Sequence, residues 1–68
     1  MKYEAISGPQ AVRRYLEFYG NQFLESGLIN ALSPIYGEDE VLECIEYMIK
    51  GDVIWRTSPN GQVLLNIN

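Results

Sequence analysis

The hydrophobic period of the chain changes once, at Gly51, and this change constrains the fold more than any other feature. Before Gly51, apolar residues recur at the spacing of an amphipathic helix. After it, residues 53–57 and 62–67 follow a strand-like period of two. Residues 58–61 between them read Ser-Pro-Asn-Gly, with proline and glycine where a tight turn favours them. The sequence therefore predicts an α+β domain in which helices precede a C-terminal β-hairpin.

The first helix is predicted from its start and stop signals. Ser7 and Gln10 have the spacing of a capping box, in which each side chain binds the backbone N–H of the other residue. Gly20 and Asn21 form a C-terminal stop signal. Residues 3–6 fit either a short strand or an extension of this helix. The apolar stripe between the two signals consists of Val12, Tyr15, Leu16 and Tyr19.

Two further helices are predicted before the hairpin. The second covers residue 23 to about residue 32 and ends at Ser33, because a residue that precedes proline avoids the α conformation. Residues 35–37 are expected to form a tight turn. The third helix begins with three acidic residues, which the helix dipole favours, and ends at Lys50, with Gly51 as a left-handed cap. Its predicted buried stripe is Val41, Leu42, Ile45, Met48 and Ile49.

The order of the predicted elements resembles that of the winged-helix family: two helices, a tight turn, a third helix and a C-terminal hairpin. The stretch most similar to that family is residues 41–54, where a helical apolar stripe leads into a glycine and then into the first hairpin strand. The resemblance covers about residues 9–67 and implies a single winged-helix domain with residues 58–61 at the tip of the wing. In DNA-binding members of the family, the third helix enters the major groove and the wing contacts the backbone or minor groove.

The charge of the third helix argues against that DNA-reading role. No Lys or Arg precedes Lys50 in it, and the whole chain has a net charge of −4. Phosphate groups would repel its carboxylates, whereas sequence-specific DNA-binding proteins present a basic surface. Each acid taken singly also fits an ordinary solvated helix face. The acids concerned are Glu38, Asp39, Glu40, Glu43 and Glu46.

We therefore expect a small non-enzymatic winged-helix regulator that acts through protein–protein interaction. Asp39, Glu43 and Glu46 would face a basic partner, which could itself be a nucleic-acid-binding protein. Arg56 and Trp55 on the hairpin are further candidate contacts. The ordinary place for Trp55 is nevertheless the core, and it becomes a binding hot spot only if it points outward.

Two alternative functions stay open at this point. A DNA-binding transcriptional regulator would use helix 1 and the wing, with Arg13, Arg14 and Arg56 as nucleic-acid contacts. For the two helix-1 arginines the competing interpretation is surface ion pairing, for example of Arg13 with Glu17. A structural subunit of a larger complex would be marginally stable alone and stabilised by its partner.

The hairpin carries apolar residues at adjacent positions, so apolar side chains are expected on both of its faces. One face must cover the helices, and a lone hairpin needs such a packing surface. We expect the other face, consisting of either Ile54 and Leu64 or Trp55 and Leu65, to form an interface with a second copy or with another protein.

The remaining composition argues against catalysis, metal binding and membrane insertion. The chain has no histidine and one cysteine, which excludes an intramolecular disulfide and a Cys/His zinc site. The acids around Cys44 disfavour its thiolate, so we expect no nucleophilic role for it. No cofactor-binding motif, leader segment or apolar stretch of about 20 residues is present, which predicts a cytoplasmic protein without a cofactor. A small acidic domain that starts at its own Met1 also fits a phage or mobile-element product.

Overall fold

The computed structural model of the protein describes residues 7–68. Within that range there are three α-helices, Gly8–Phe18 (α1), Glu25–Tyr36 (α2) and Glu38–Lys50 (α3). There are also three β-strands, Gln22–Leu24 (β1), Ile54–Thr57 (β2) and Leu64–Ile67 (β3), and a short 3-10 helix, Pro59–Gly61, in the turn between β2 and β3. The strands form one antiparallel sheet in the order β1-β3-β2. The predicted α+β class is confirmed, and the arrangement is compatible with a winged-helix-like fold.

The first helix begins and ends at the predicted signals. The N–H of Gln10 donates to Oγ of Ser7, and the N–H of Ser7 donates to Oε1 of Gln10, each at 3.4 Å. At the other end, Gly20 and Asn21 adopt positive φ angles of 84° and 72°. The N–H of Asn21 then donates to the carbonyl of Leu16 at 2.8 Å, which turns the chain out of the helix. The strand or helix extension expected over residues 3–6 lies outside the described residues.

The predicted start of the second helix at residue 23 is wrong, because Gln22–Leu24 form the strand β1, which was not predicted, and α2 begins at Glu25. The strand is too short to show an alternating pattern, and only pairing with β3 defines it. Its central residue, Phe23, also explains Gly27 in α2, since a Cβ at Gly27 would lie 2.7 Å from the Phe23 ring. The paired residues are Gln22 with Asn66, Phe23 with Leu65, and Leu24 with Leu64.

The prediction that α2 ends before Pro34 is wrong. The helix continues through Pro34 to Tyr36. Pro34 lacks the N–H that would bond the carbonyl of Asn30, so the helix continues with one backbone hydrogen bond fewer. One residue earlier, the hydroxyl of Ser33 donates to the carbonyl of Ile29 at 2.6 Å. The expected three-residue turn is reduced to Gly37, whose φ of 89° suits glycine.

The C-terminal end of α3 also differs in detail from the prediction. Gly51 has a φ of −87° and is not left-handed. The left-handed residue is the next one, Asp52, with a φ of 61°, a conformation that Asp adopts more readily than most residues. The N–H of Val53 then donates to the carbonyl of Met48 at 2.9 Å, and the chain enters β2.

The hydrophobic core lies between the three helices and the inner face of the sheet. In β2 and β3, Ile54 is paired with Ile67 and Arg56 with Leu65, so these four side chains share that inner face. The buried residues of the core are Val12, Leu16, Leu28, Leu32, Val41, Cys44, Ile45, Met48, Ile54 and Leu65.

The register corrects the prediction about the outer hairpin face. Neither predicted combination occurs, because the alternation of the strands places Trp55 and Leu64 on the outer face together. Ile54 and Leu65 are core residues with 1% and 0% exposure, so they cannot form an interface. Trp55 is 45% exposed, so the expected core position of this residue is also wrong.

A matched pair of substitutions tests which face is buried. We expect Ile54→Ala to lower the free energy of unfolding by about 2–5 kcal/mol, because it leaves a cavity in the core. Trp55→Ala should cost about 1 kcal/mol or less, since its side chain lies against solvent. Urea unfolding followed by circular dichroism measures both. A larger loss for Trp55→Ala than for Ile54→Ala would contradict this packing of the sheet.

Candidate functional site

The solvent-facing side of α3 combines a row of acids with two exposed large side chains. At 3.6 residues per turn, Asp39, Glu43 and Glu46 fall on one line along the helix, and Leu42 and Tyr47 flank that line on opposite sides. All five residues are exposed, and Tyr47 is exposed by 71%. We call these five residues the α3 face. The prediction that Leu42 belongs to the buried stripe is wrong.

This exposure follows from how α3 packs against the rest of the domain. The helix contacts α1, α2 and β2 mainly through a stripe on its opposite side, and the contact that the described residues make with the α3 face is the ion pair of Glu46 with Arg56. The one basic residue of the helix, Lys50, lies at its C-terminal end, where it complements the helix dipole. Among residues 7–68, the acids in the N-terminal and middle turns have no ion pair, whereas Glu46 is paired with Arg56 of β2.

The hairpin arginine is held by two carboxylates. Nε and Nη2 of Arg56 donate to Oε1 and Oε2 of Glu25 at 3.1 and 2.9 Å. Nη2 also donates to Oε2 of Glu46 at 2.9 Å. The hydrogen bonds to Glu46 and then to Glu25 raise the pKa of Arg56 above its ordinary value. Arg56 thus links β2 to the start of α2 and to α3, and Nε and Nη2 of its guanidinium are already hydrogen-bonded.

The helix-1 arginines are both exposed on α1. Nε of Arg13 lies 3.3 Å from Oε2 of Glu17, which is the i, i+4 ion pair considered above. Arg14, the next residue, is also exposed. Of the three arginines proposed as nucleic-acid contacts, two are therefore bound to carboxylates of the same chain.

Cys44 lies on the buried side of α3. Its Sγ is 3.8 Å from Oε2 of Glu40. Burial, followed by the negative charge of Glu40, raises the pKa of this thiol above its ordinary value. Within residues 7–68, no group of three or more His, Cys, Asp or Glu side chains could hold a metal ion.

The outer face of the sheet carries a network of polar side chains that was not predicted from the sequence. The side-chain amide of Asn66, only 6% exposed, donates to the carbonyl of Trp55 at 3.3 Å and to Oγ1 of Thr57 at 3.2 Å. Its Oδ1 accepts from Nε2 of Gln22 at 2.6 Å. The sequence does show an asparagine within an apolar strand. The partners of Asn66, however, depend on the register of the sheet, which cannot be derived from the sequence.

Four aromatic rings at the end of α1 form a second feature that the sequence did not reveal. Tyr19 contacts Phe23 with ring centroids 4.5 Å apart, and Tyr15 and Phe18 with centroids 4.9 Å away. Phe18 itself is 80% exposed. Tyr19, a member of the predicted apolar stripe of the first helix, is half-exposed at the rim of this cluster.

No protein-family model, curated protein or solved structure matches the chain. The functional argument therefore depends on the residues and their geometry. In the part of the chain that the structure describes, no helix has both the length and the apolar character needed to cross a membrane.

The two carboxylates around Arg56 should contribute unequally to stability. Glu25 is mostly buried and binds Arg56 through two hydrogen bonds, whereas Glu46 is mostly exposed. We expect Glu25→Gln to lower the free energy of unfolding by about 1 kcal/mol, and Glu46→Gln by less than about 0.5 kcal/mol. Urea titrations at low and high salt would measure this difference. Equal losses for the two variants would show that the bidentate Arg56–Glu25 pair contributes no more to the free energy of unfolding than the Arg56–Glu46 pair.

The raised thiol pKa of Cys44 predicts a loss of stability in mild alkali. The folded chain holds the thiol proton more tightly than the unfolded chain, so this contribution is complete below the ordinary thiol pKa of about 8.5. It is lost as the pH rises from there through the folded pKa of Cys44. We expect the free energy of unfolding to decline over this range, and to decline less in Cys44→Ser, as measured by urea unfolding across pH. Identical pH dependence of the two proteins would contradict this assignment.

Proposed function

We propose that the protein is a winged-helix interaction module, a small non-enzymatic regulator that binds a basic protein through the α3 face. The observation that carries the proposal is the exposed row of Asp39, Glu43 and Glu46 on the helix that reads DNA in DNA-binding winged helices. In this chain the same position in the fold presents carboxylates, and a carboxylate row attracts cationic surfaces and repels phosphate.

The apolar flanks of the row support a protein partner over a small cation. Leu42 and Tyr47 are exposed on either side of the acids, at 38% and 71%. Protein interfaces combine an apolar or aromatic anchor with surrounding charge, and tyrosine is enriched at their hot spots. The acids would steer the encounter with a basic partner and fix its orientation, while Tyr47 would supply contact area.

A nucleic-acid-binding protein is the class of basic partner that the row suits best. Successive carboxylates on one side of a helix offer a series of anionic groups to side chains that otherwise bind phosphate. Occupying such a site would block it, which gives a direct physical route to regulation. This part of the proposal depends on charge alone and names no particular partner.

A DNA-binding role has less support than the protein-binding role. DNA would meet the acids of α3, and Arg56 would first have to leave Glu25 and Glu46. Arg13 would likewise have to leave Glu17. A role as a structural subunit is compatible with an exposed α3 face, but no particular contact favours it.

A single charge reversal with a matched control tests the proposal. Glu43→Lys changes the charge of the α3 face, and Glu17→Lys makes the same charge change on an exposed position of α1. With the tagged protein as bait in cell lysate, we expect Glu43→Lys to lower recovery of the specific partner at least tenfold, which is about 1.4 kcal/mol. Glu17→Lys should retain it. Binding of the purified partner should also weaken with rising salt.

Two outcomes would overturn the proposal. One is recovery of the same partners by the unmodified protein and by Glu43→Lys, provided that circular dichroism shows both to be folded. The other is retardation of DNA at low salt that Arg56→Ala abolishes, because this would favour the wing-based DNA-binding alternative.

A further inference from the structure

The outer face of the sheet is a second exposed surface, and it carries no charge. This outer sheet face is built from the side chains of all three strands that alternate away from the helices. In a chain in which 21% of residues are charged, all six of its positions are uncharged. Its members are Gln22, Leu24, Trp55, Thr57, Leu64 and Asn66.

The polar members of this face are already bonded to one another. Asn66 at the centre uses its amide group on Thr57 and on the backbone of β2, and its oxygen on Gln22. Within residues 7–68, no buried side-chain nitrogen or oxygen lacks a hydrogen-bond partner. Covering the outer sheet face would therefore cost little at the central Asn66, whose amide group and oxygen already have partners within the sheet.

We propose that the outer sheet face binds the same face of a second copy of this chain. Two copies with a net charge of −4 each repel one another wherever their acidic surfaces approach. The outer sheet face is a surface on which two copies can meet without bringing charged side chains together. A strongly cationic partner would find no electrostatic attraction on this surface. The outer sheet face and the α3 face therefore suit different partners.

The layout of the face is compatible with a two-fold axis. Trp55 lies on one edge strand and Leu24 on the other, with Leu64 on the central strand between them. Trp55 and Leu24 therefore lie at opposite ends of a diagonal of the face. If two sheets stack face to face about a two-fold axis perpendicular to that diagonal, Trp55 of each copy lies over Leu24 of the other copy. Both Trp55 and Leu24 are partly exposed, as this contact requires.

The size of the face limits the strength of the contact. Three strands of three or four residues span only a few hundred Å², roughly, compared with about 800 Å² per partner in a standard interface. We therefore expect a weak dimer with a dissociation constant on the order of 0.1–1 mM. Salt should strengthen it, because screening reduces the repulsion between two acidic copies.

Trp55 is the only tryptophan of the chain, so its fluorescence reports directly on this surface. We expect sedimentation velocity and Trp55 emission to change together as protein concentration rises, with a blue shift as the indole leaves water. Raising the salt concentration should move both transitions to lower protein concentration. This dependence is opposite to that expected for a basic partner on the α3 face, so the two proposals can fail separately.

Substitutions distinguish this surface from the other exposed aromatic residues. We expect Leu24→Ser and Trp55→Ala each to raise the dissociation constant at least tenfold by sedimentation, and Tyr47→Ala on the α3 face to leave it unchanged. A protein that stays monomeric at millimolar concentration and high salt would overturn the proposal. So would a dimer that survives both sheet substitutions, or one that Tyr47→Ala abolishes.

Discussion

The register of the central strand β3 determines how the rest of the structure is arranged. This strand pairs with both β1 and β2, so a slip by one residue would turn the side chains of β3 to the opposite face. Two adjacent residues oppose such a slip. Leu65 is fully buried against the helices, and Asn66 on the other face is bonded to both neighbouring strands. A slipped Asn66 would enter the apolar core without these partners, which costs more than most single contacts contribute.

The position of Arg56, the one charged residue of the β2–β3 hairpin, follows from that register. Because Arg56 is opposite Leu65, its side chain leaves β2 on the side of the helices, where Glu25 and Glu46 are within reach. On the outer face the same arginine would have met neither carboxylate. The pairing of the sheet therefore makes Arg56 a link between β2, α2 and α3, while the acids in the earlier turns of α3 form no ion pair within residues 7–68.

The sequence predicted what depends on local signals and missed what depends on pairing. The capping box at Ser7 and the three acids in the first turn of α3 act within a few residues, so α1 and α3 could be predicted from the sequence. The strand β1 exists only because Phe23 lies beside Leu65, far away in the sequence. Pro34 favours a helix end locally, but the tertiary packing of α2 overrides this preference and the helix continues to Tyr36.

The candidate sites show the same division. The acids of α3 were recognisable because helical spacing places them on one line, and the structure leaves them exposed. The hydrogen bonds between Arg56 and Glu25 join residues 31 positions apart. No periodic pattern in the sequence predicts a contact over that separation. The outer sheet face was anticipated as apolar, but its membership could not be derived, because adjacent apolar residues such as Ile54 and Trp55 fit either face equally well.

The α3 face and the outer sheet face differ in the chemistry that they can recognise. This difference follows from which side chains the core leaves exposed. A domain of this length leaves a large share of its surface accessible, so some apolar residues must remain outside. On α3 they are interleaved with carboxylates, and on the sheet they surround an uncharged amide network. For the two proposed contacts, long-range charge would act on the first surface and short-range desolvation on the second. We therefore expect the two interactions to respond to salt in opposite directions.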